Sequence, residues 1–173
     1  MAKSDSFFIR AEVTVSGVTY GQTEIDLGSF VNLGVSKSTL LRIHNVQPQY
    51  MDNSDRSAMI YYDGGIPGGK LGWQLTTQSQ SSLIKAANKS FISGGALSQA
   101  STTGVLVQNS DQTVDANPQE WKNGYLIGVD SIFLGADSSA TWDSGDVDIS
   151  VVLECTLETA TQASSTALAL SQQ

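Results

Sequence analysis

The sequence predicts an all-β sandwich of about eight antiparallel strands, with one or two short helices in the connections. Three observations predict it. Apolar residues recur at every second position near both ends of the chain. Clusters rich in Gly, Asp, Asn and Ser interrupt the 173 residues at short intervals. Helix signals are confined to two brief stretches.

The first strand is read in "SFFIRAEVTV". Phe7, Ile9, Ala11, Val13 and Val15 fall on one face, and Phe8, Arg10, Glu12 and Thr14 on the other. Further candidates are Thr19 to Ile25, Thr39 to Val46, Ala58 to Tyr62, Trp73 to Thr77, Gly104 to Gln108 and Tyr125 to Phe133. The last strand, "VDISVVLECTL", would bury Val147, Ile149, Val151, Leu153, Cys155 and Leu157. Asp148, Ser150, Val152, Glu154 and Thr156 lie opposite. The intervening breaks include "DGGIPGG", "SGG" and "GADSSATWDSGD". In "NPQEWKNG", Asn117 stands as N-cap, Pro118 at the first helical position and Gly124 as a stop, which predicts one or two turns. A second short helix is predicted around Leu83 to Lys89. The organisation expected is one domain over residues 1–159 and a flexible or interface-ordered tail over 160–173.

Charged residues make up only 15% of the chain, against the usual quarter. Ser, Thr, Gln and Asn number 24, 14, 13 and 7 and fill the gap, so the surface expected is polar and nearly neutral. The net charge is −8. Beyond residue 120 the chain carries one base, Lys122, against seven acids. Phosphate binding needs Lys and Arg, so direct contact with nucleic acid is not expected. A single cysteine excludes an internal disulfide framework. The start "MAKSDSFFIRAEV" lacks the apolar core of a secretion signal. No apolar run approaches the roughly 20 residues that cross a bilayer as a helix.

Candidate chemistry is thin. Gly64, Gly69 and Lys70 match the spacing of a phosphate-binding loop. Leu71 then stands where Ser or Thr should hold magnesium, and an extended stretch replaces the required helix. His44, the one histidine, reads as a surface or interface strand residue, and Cys155 as a buried small hydrophobe. Asp143, Asp146 and Asp148 offer oxygen ligands for calcium, perhaps between subunits, but without the spacing of an EF-hand loop. Trp73, Trp121, Trp142, Tyr50, Tyr61 and Tyr62 suit a sugar-stacking groove, core packing or subunit contacts alike. No catalytic constellation is marked, and no enzyme is expected.

The clean first and last strands suit neighbouring positions in one sheet of a jelly roll. The stretches "TEIDLGSFVNLGVSKSTLLRIHNVQPQY" and "NGYLIGVDSIFLGADSSATW" resemble virion proteins of marine viruses, the small major capsid proteins of phages and archaeal viruses. The resemblance covers about half the chain and holds no catalytic motif. It implies a single jelly roll, self-assembly into a symmetric shell, location in the virion, and copies of itself or other virion proteins as partners. One departure matters: the chain has no Arg/Lys-rich arm, so genome packaging would fall to a motor or an internal membrane. The contacts expected lie at Met1 to Ser6, Asp63 to Lys70, Asp137 to Asp146 and Ala160 to Gln173. The alternatives are a phage tail-tube or decoration protein, and a carbohydrate-binding sandwich whose Trp and Tyr side chains stack on sugar, with Trp73 and Trp142 the first to test.

Overall fold

The computed structural model describes residues 5–33, 36–65, 68–102, 105–113 and 117–172, and it lays the two alternating ends of the chain side by side. Strand β1 (Phe7–Val15) pairs antiparallel with the last strand, from Phe7↔Cys155 to Val15↔Val147. Between them the order is β2 (Gly21–Asp26), β3 (Lys37–Asp52), β4 (Gly69–Thr76), β5 (Phe91–Thr102), β6 (Val105–Thr113), a 3-10 turn (Pro118–Glu120), β7 (Tyr125–Ile127), β8 (Ser131–Ser138) and β9 (Val147–Thr161). Helix α1 (Gln162–Ser171) follows. No described helix is long and apolar enough to cross a membrane.

The strands form two antiparallel sheets, ordered β1-β9-β3-β7 and β2-β8-β4-β5-β6. Successive strands alternate between the sheets, apart from β4, β5 and β6, which follow one another in the second. This is a jelly roll. The period-2 pattern decides which side faces in: Val147, Ile149, Val151, Leu153 and Cys155 are each at most 1% exposed. They meet Leu71, Trp73, Leu75, Ile132 and Leu134 of the facing sheet in one core. Each such side chain contributes about 1.5–3 kcal/mol by burial.

Strand β3 is longer than its sequence pattern implied. It continues through Pro48 to Asp52 and pairs with β9 throughout. Strand β7 flanks it only at Leu41–Ile43, so at Pro48 the ladder has one side and tolerates the missing N–H. The register shifts between Ile43 and Asn45, a bulge at His44.

Several expectations are corrected. Ala58 to Tyr62 is not a strand. Ile60 is buried, but its neighbour Tyr61 accepts at its carbonyl from the N–H groups of Asp143 and Ser144, a loop. Tyr125 to Phe133 is two strands, β7 and β8, in different sheets. Leu83 to Lys89 is not helical, and the "SGG" break lies inside β5. The cause is the same for both. Residues Ser82 to Ile84 lie on the outward side of β4, so both faces of this part of the sheet are covered and alternation disappears. A Cβ at Gly72 would stand 2.6 Å from the Leu83 Cδ1, so the glycine leaves room for that side chain over the sheet. The Asn117 side chain does not cap the turn after it; its Oδ1 accepts from the Ser93 hydroxyl instead.

The residues read as a tail carry regular structure. Strand β9 runs to Thr161, whose hydroxyl accepts from the Ser164 N–H and caps α1. At the far end Gln172, 3% exposed, returns to the sandwich. Its Nε2 donates to the Leu126 carbonyl (2.7 Å) and its Oε1 accepts from the Gly128 N–H (2.9 Å). The Thr77 hydroxyl donates to its carbonyl (2.6 Å). The Gln172 amide thus stands beside β7 where another strand would.

Gln172→Ala removes both amide bonds and leaves backbone groups without partners. The expected loss is roughly 1–3 kcal/mol, seen as a melting temperature lower by several degrees, whereas Gln162→Ala on the exposed start of α1 leaves it unchanged.

Candidate functional site

The acidic residues singled out as calcium candidates gather at one end of the sandwich, where they bind neighbouring loops. Asp148, 3% exposed, accepts from the Thr14 hydroxyl (2.6 Å) and from the Asn53 amide (3.0 and 3.1 Å). Asp146 accepts from the Ser16 hydroxyl (2.8 Å), and its carbonyl accepts from the Asn53 N–H. Asp143 accepts from the Asp63 N–H (2.6 Å). Asp52 accepts from the Ser54 hydroxyl and the N–H groups of Ser54 and Asp55. The Ser54 hydroxyl, then those two amides, hold its carboxyl below the usual carboxylate range. These carboxylates join the connections after β1, β3 and β8. Among the described residues no three His, Cys, Asp or Glu side chains converge as a metal set.

The other candidates scatter. Lys70 is exposed at the start of β4, and its N–H and carbonyl bond Ser139 rather than framing an anion site. His44 sits on the β3 bulge with Nε2 2.8 Å from the Thr156 hydroxyl. Cys155 is fully buried, and burial, with Glu154 adding to it, pushes its thiol up to about 12. Trp73 and Trp142 are each 3% exposed. Their indole N–H groups donate to the Tyr50 hydroxyl and the Ser138 hydroxyl, so they are core residues and present no stacking platform. Of the three tryptophans only Trp121 is open, tilted against Tyr125 at 5.7 Å.

Sequence reading missed the strongest electrostatic contact. Arg42 grips Glu158 with two parallel bonds, Nε to Oε1 at 2.6 Å and Nη2 to Oε2 at 2.7 Å, and Nη1 donates to the Asn123 carbonyl. The side chains are 14% and 4% exposed. The pair floors a groove of about 800 Å³ between α1 and the sheet, with Leu40, Leu126 and Leu168 on its sides. A signal did exist: one basic and one acidic residue fall on the outward positions of strands that pair.

The outward faces of the two sheets differ in kind. On the five-stranded sheet, Gln74 is fully buried. Its amide donates to the Ser82 carbonyl and the Tyr20 hydroxyl and accepts from the Ile84 N–H. The chain's own connections therefore cover part of that face. On the four-stranded sheet the register aligns Phe8, Glu154 and Asn45, then Arg10, Val152 and Gln47, then Glu12, Ser150 and Gln49. Phe8 is 54% exposed, and Arg10, Glu12, Gln47 and Gln49 are exposed beside it. Arg10 lies over the Phe8 ring, and Glu12 accepts from Ser150 (2.6 Å). The result is a surface three strands wide whose nine aligned residues include three charges, Arg10, Glu12 and Glu154, and are otherwise polar neutral or apolar. Of the contact segments expected from sequence, Met1 to Ser4, Ile66, Pro67 and Gln173 lie outside the described residues.

No family model matches the chain, and no curated protein matches it. Solved structures do show likeness. Human polyomavirus 12 VP1, in complex with 3'-sialyllactosamine, is 10% identical with a TM-score of 0.46, covering 91% of this chain and 100% of that one. An unassembled Washington University polyomavirus VP1 pentamer is 9% identical at 0.47, covering 90% and 94%. Desmodium yellow mottle tymovirus is 7% identical at 0.36, covering 91% and 88%. These are viral capsid proteins. The strand order by itself establishes the jelly roll, and likeness at this level adds no weight to it.

The Cys155 result gives a pH expectation. Its folded value lies above the ordinary thiol value of about 8.5. The folded state is thus favoured by this group below that value, and the contribution is lost as pH rises through about 12. At pH 8 a thiol reagent leaves the native protein unlabelled and modifies one thiol per chain after denaturation.

Proposed function

We propose that this chain is a structural virion protein, a major capsid subunit that assembles with copies of itself into the viral shell. The observation that carries the reading is the open outward face of the four-stranded sheet. It is three strands wide, it presents the exposed Phe8, Gln47 and Gln49, and its three charges, Arg10, Glu12 and Glu154, carry both signs and suit a polar contact between copies. Jelly rolls serve as capsid subunits, lectin domains and cupins. The filled interior and the scattered His, Cys and carboxylate positions give no support to a cupin-like centre. The burial of Trp73 and Trp142 takes two of the six candidate stacking side chains away from the sugar-binding alternative. Net charge −8 fits a partner that is protein rather than genome.

Symmetric assembly follows from repeated use of one contact. Light scattering and negative-stain microscopy of the purified chain test it, with and without calcium, because Asp143 and Asp146 of neighbouring copies would supply oxygen ligands. The expected result is closed shells or shell fragments. Tubes or rings indicate a tail-tube or decoration protein, and a monomer of 18.3 kDa at all concentrations and salts removes the proposal.

A further inference from the structure

A β-sandwich has four sheet edges, and the outward amides and carbonyls of each need partners. Three of the four are met in part within the chain, and beyond Ile43 no strand flanks the outer side of β3 among the described residues. The β1 and β2 edges meet on one side of the sandwich. There the Thr23 hydroxyl donates to the Glu12 carbonyl (2.8 Å), and Gly21 is packed so closely that a Cβ would stand 2.7 Å from the Thr14 carbonyl oxygen. The β7 edge is three residues long and holds the Gln172 amide. The fourth edge is β6, nine residues from Val105 to Thr113. It closes the order β2-β8-β4-β5-β6, and among the described residues no chain runs along its outer side.

The β6 sequence also lacks the devices that keep an edge from pairing. "VLVQNSDQT" has no lysine and no proline, and Asp111 is its only charge. Val105 is 64% exposed, and Asn109 is exposed.

We infer that β6 is an assembly edge that pairs antiparallel with β6 of a second copy across a two-fold axis. The occupant follows by elimination. A second copy offers no other edge as long and free of proline: β1 and β2 face each other, β7 is three residues long, and β3 beyond Ile43 carries the Gln119 clamp at Val46 and Pro48. Like edges can meet only antiparallel about a two-fold. Centring the axis on Asn109 pairs all nine residues, from Val105 opposite Thr113 to Thr113 opposite Val105. Asp111 then faces Val107. The two Asp111 positions lie four residues apart, roughly 14 Å along the strand, beyond the screening length of about 8 Å at physiological salt. An axis at Asp111 would set like charges face to face and is disfavoured. The joined sheets form one ten-stranded sheet through two copies. This goes beyond the shell proposal and does not require it.

The test uses the full chain. Asn109→Cys places two thiols across the axis, where paired Cα atoms stand about 4.5–5.5 Å apart, within disulfide reach. Cys155 is buried and stays out of the reaction. Mild oxidation is expected to give a covalent dimer through residue 109. Val105→Lys with Asn109→Lys, both exposed positions, is expected to raise the dimer dissociation constant at least tenfold in sedimentation, with an unchanged melting temperature. Shells that persist in the lysine variant, with no 109–109 link, overturn the β6 pairing and leave the shell proposal standing. Linked dimers that never grow larger support the pairing and remove the shell.

Discussion

Buried backbone must be hydrogen-bonded, and much of this structure follows from how glutamine side chains meet that demand where the strand ladders stop. Four glutamines make the same two-point clamp, donating from Nε2 to a carbonyl and accepting at Oε1 from an N–H. Gln74 holds Ser82 and Ile84 against the five-stranded sheet. Gln99 holds Ile60 and Tyr62. Gln119 holds both backbone groups of Val46, and Gln172 holds Leu126 and Gly128. In three of the clamps the two groups belong to residues two apart, which is how one side of a strand presents them. Each amide replaces one short piece of a missing strand. Long connections, a seated C-terminal helix and a short β7 all become affordable to a sandwich with few charges.

Much of the fold was legible in the sequence, for a physical reason. β1 has one face in the core and one outside, and β9 alternates likewise from Val147 to Cys155 apart from the buried Asp148, so the period of two is written in their residues; beyond Cys155 the reading departs from the structure, with Thr156 and Glu158 buried and Leu157 half-buried. β5 was illegible because both its faces are covered where "ISGGA" stands, and its glycines imitate a turn. The short turn at Pro118 was signalled by proline; its capping was misread because Asn117 found a better donor in Ser93. The polar neutral composition suggested only a bland surface. Gln74, Gln99 and Gln172 are in fact buried, and nothing in their local sequence distinguishes them from exposed glutamines such as Gln47 and Gln49.

The candidate residues divide in a similar way. Asp148 lies on the polar side of an alternating strand and was visible as an acid near a turn, but its partners, Thr14 in β1 and Asn53 after β3, are distant in sequence. Arg42 and Glu158 are 116 residues apart, and only the β3–β9 register joins them. The aromatic residues show why composition alone could not choose between sugar binding and packing: Trp73 and Trp142 each satisfy an indole N–H inside the sandwich. With Trp73 and Trp142 committed to the fold, the proposed contacts between copies fall on the outward side of β1, β9 and β3 and on the outer edge of β6.

Hydroxyl-radical footprinting of free and assembled protein tests that account most directly, read at Phe8 and Met51 on the outward side of the four-stranded sheet. The account predicts that both residues are oxidised in the free chain and protected several-fold on assembly. Equal oxidation of both residues in the two states would contradict it, since the face proposed to join the copies would then remain in water.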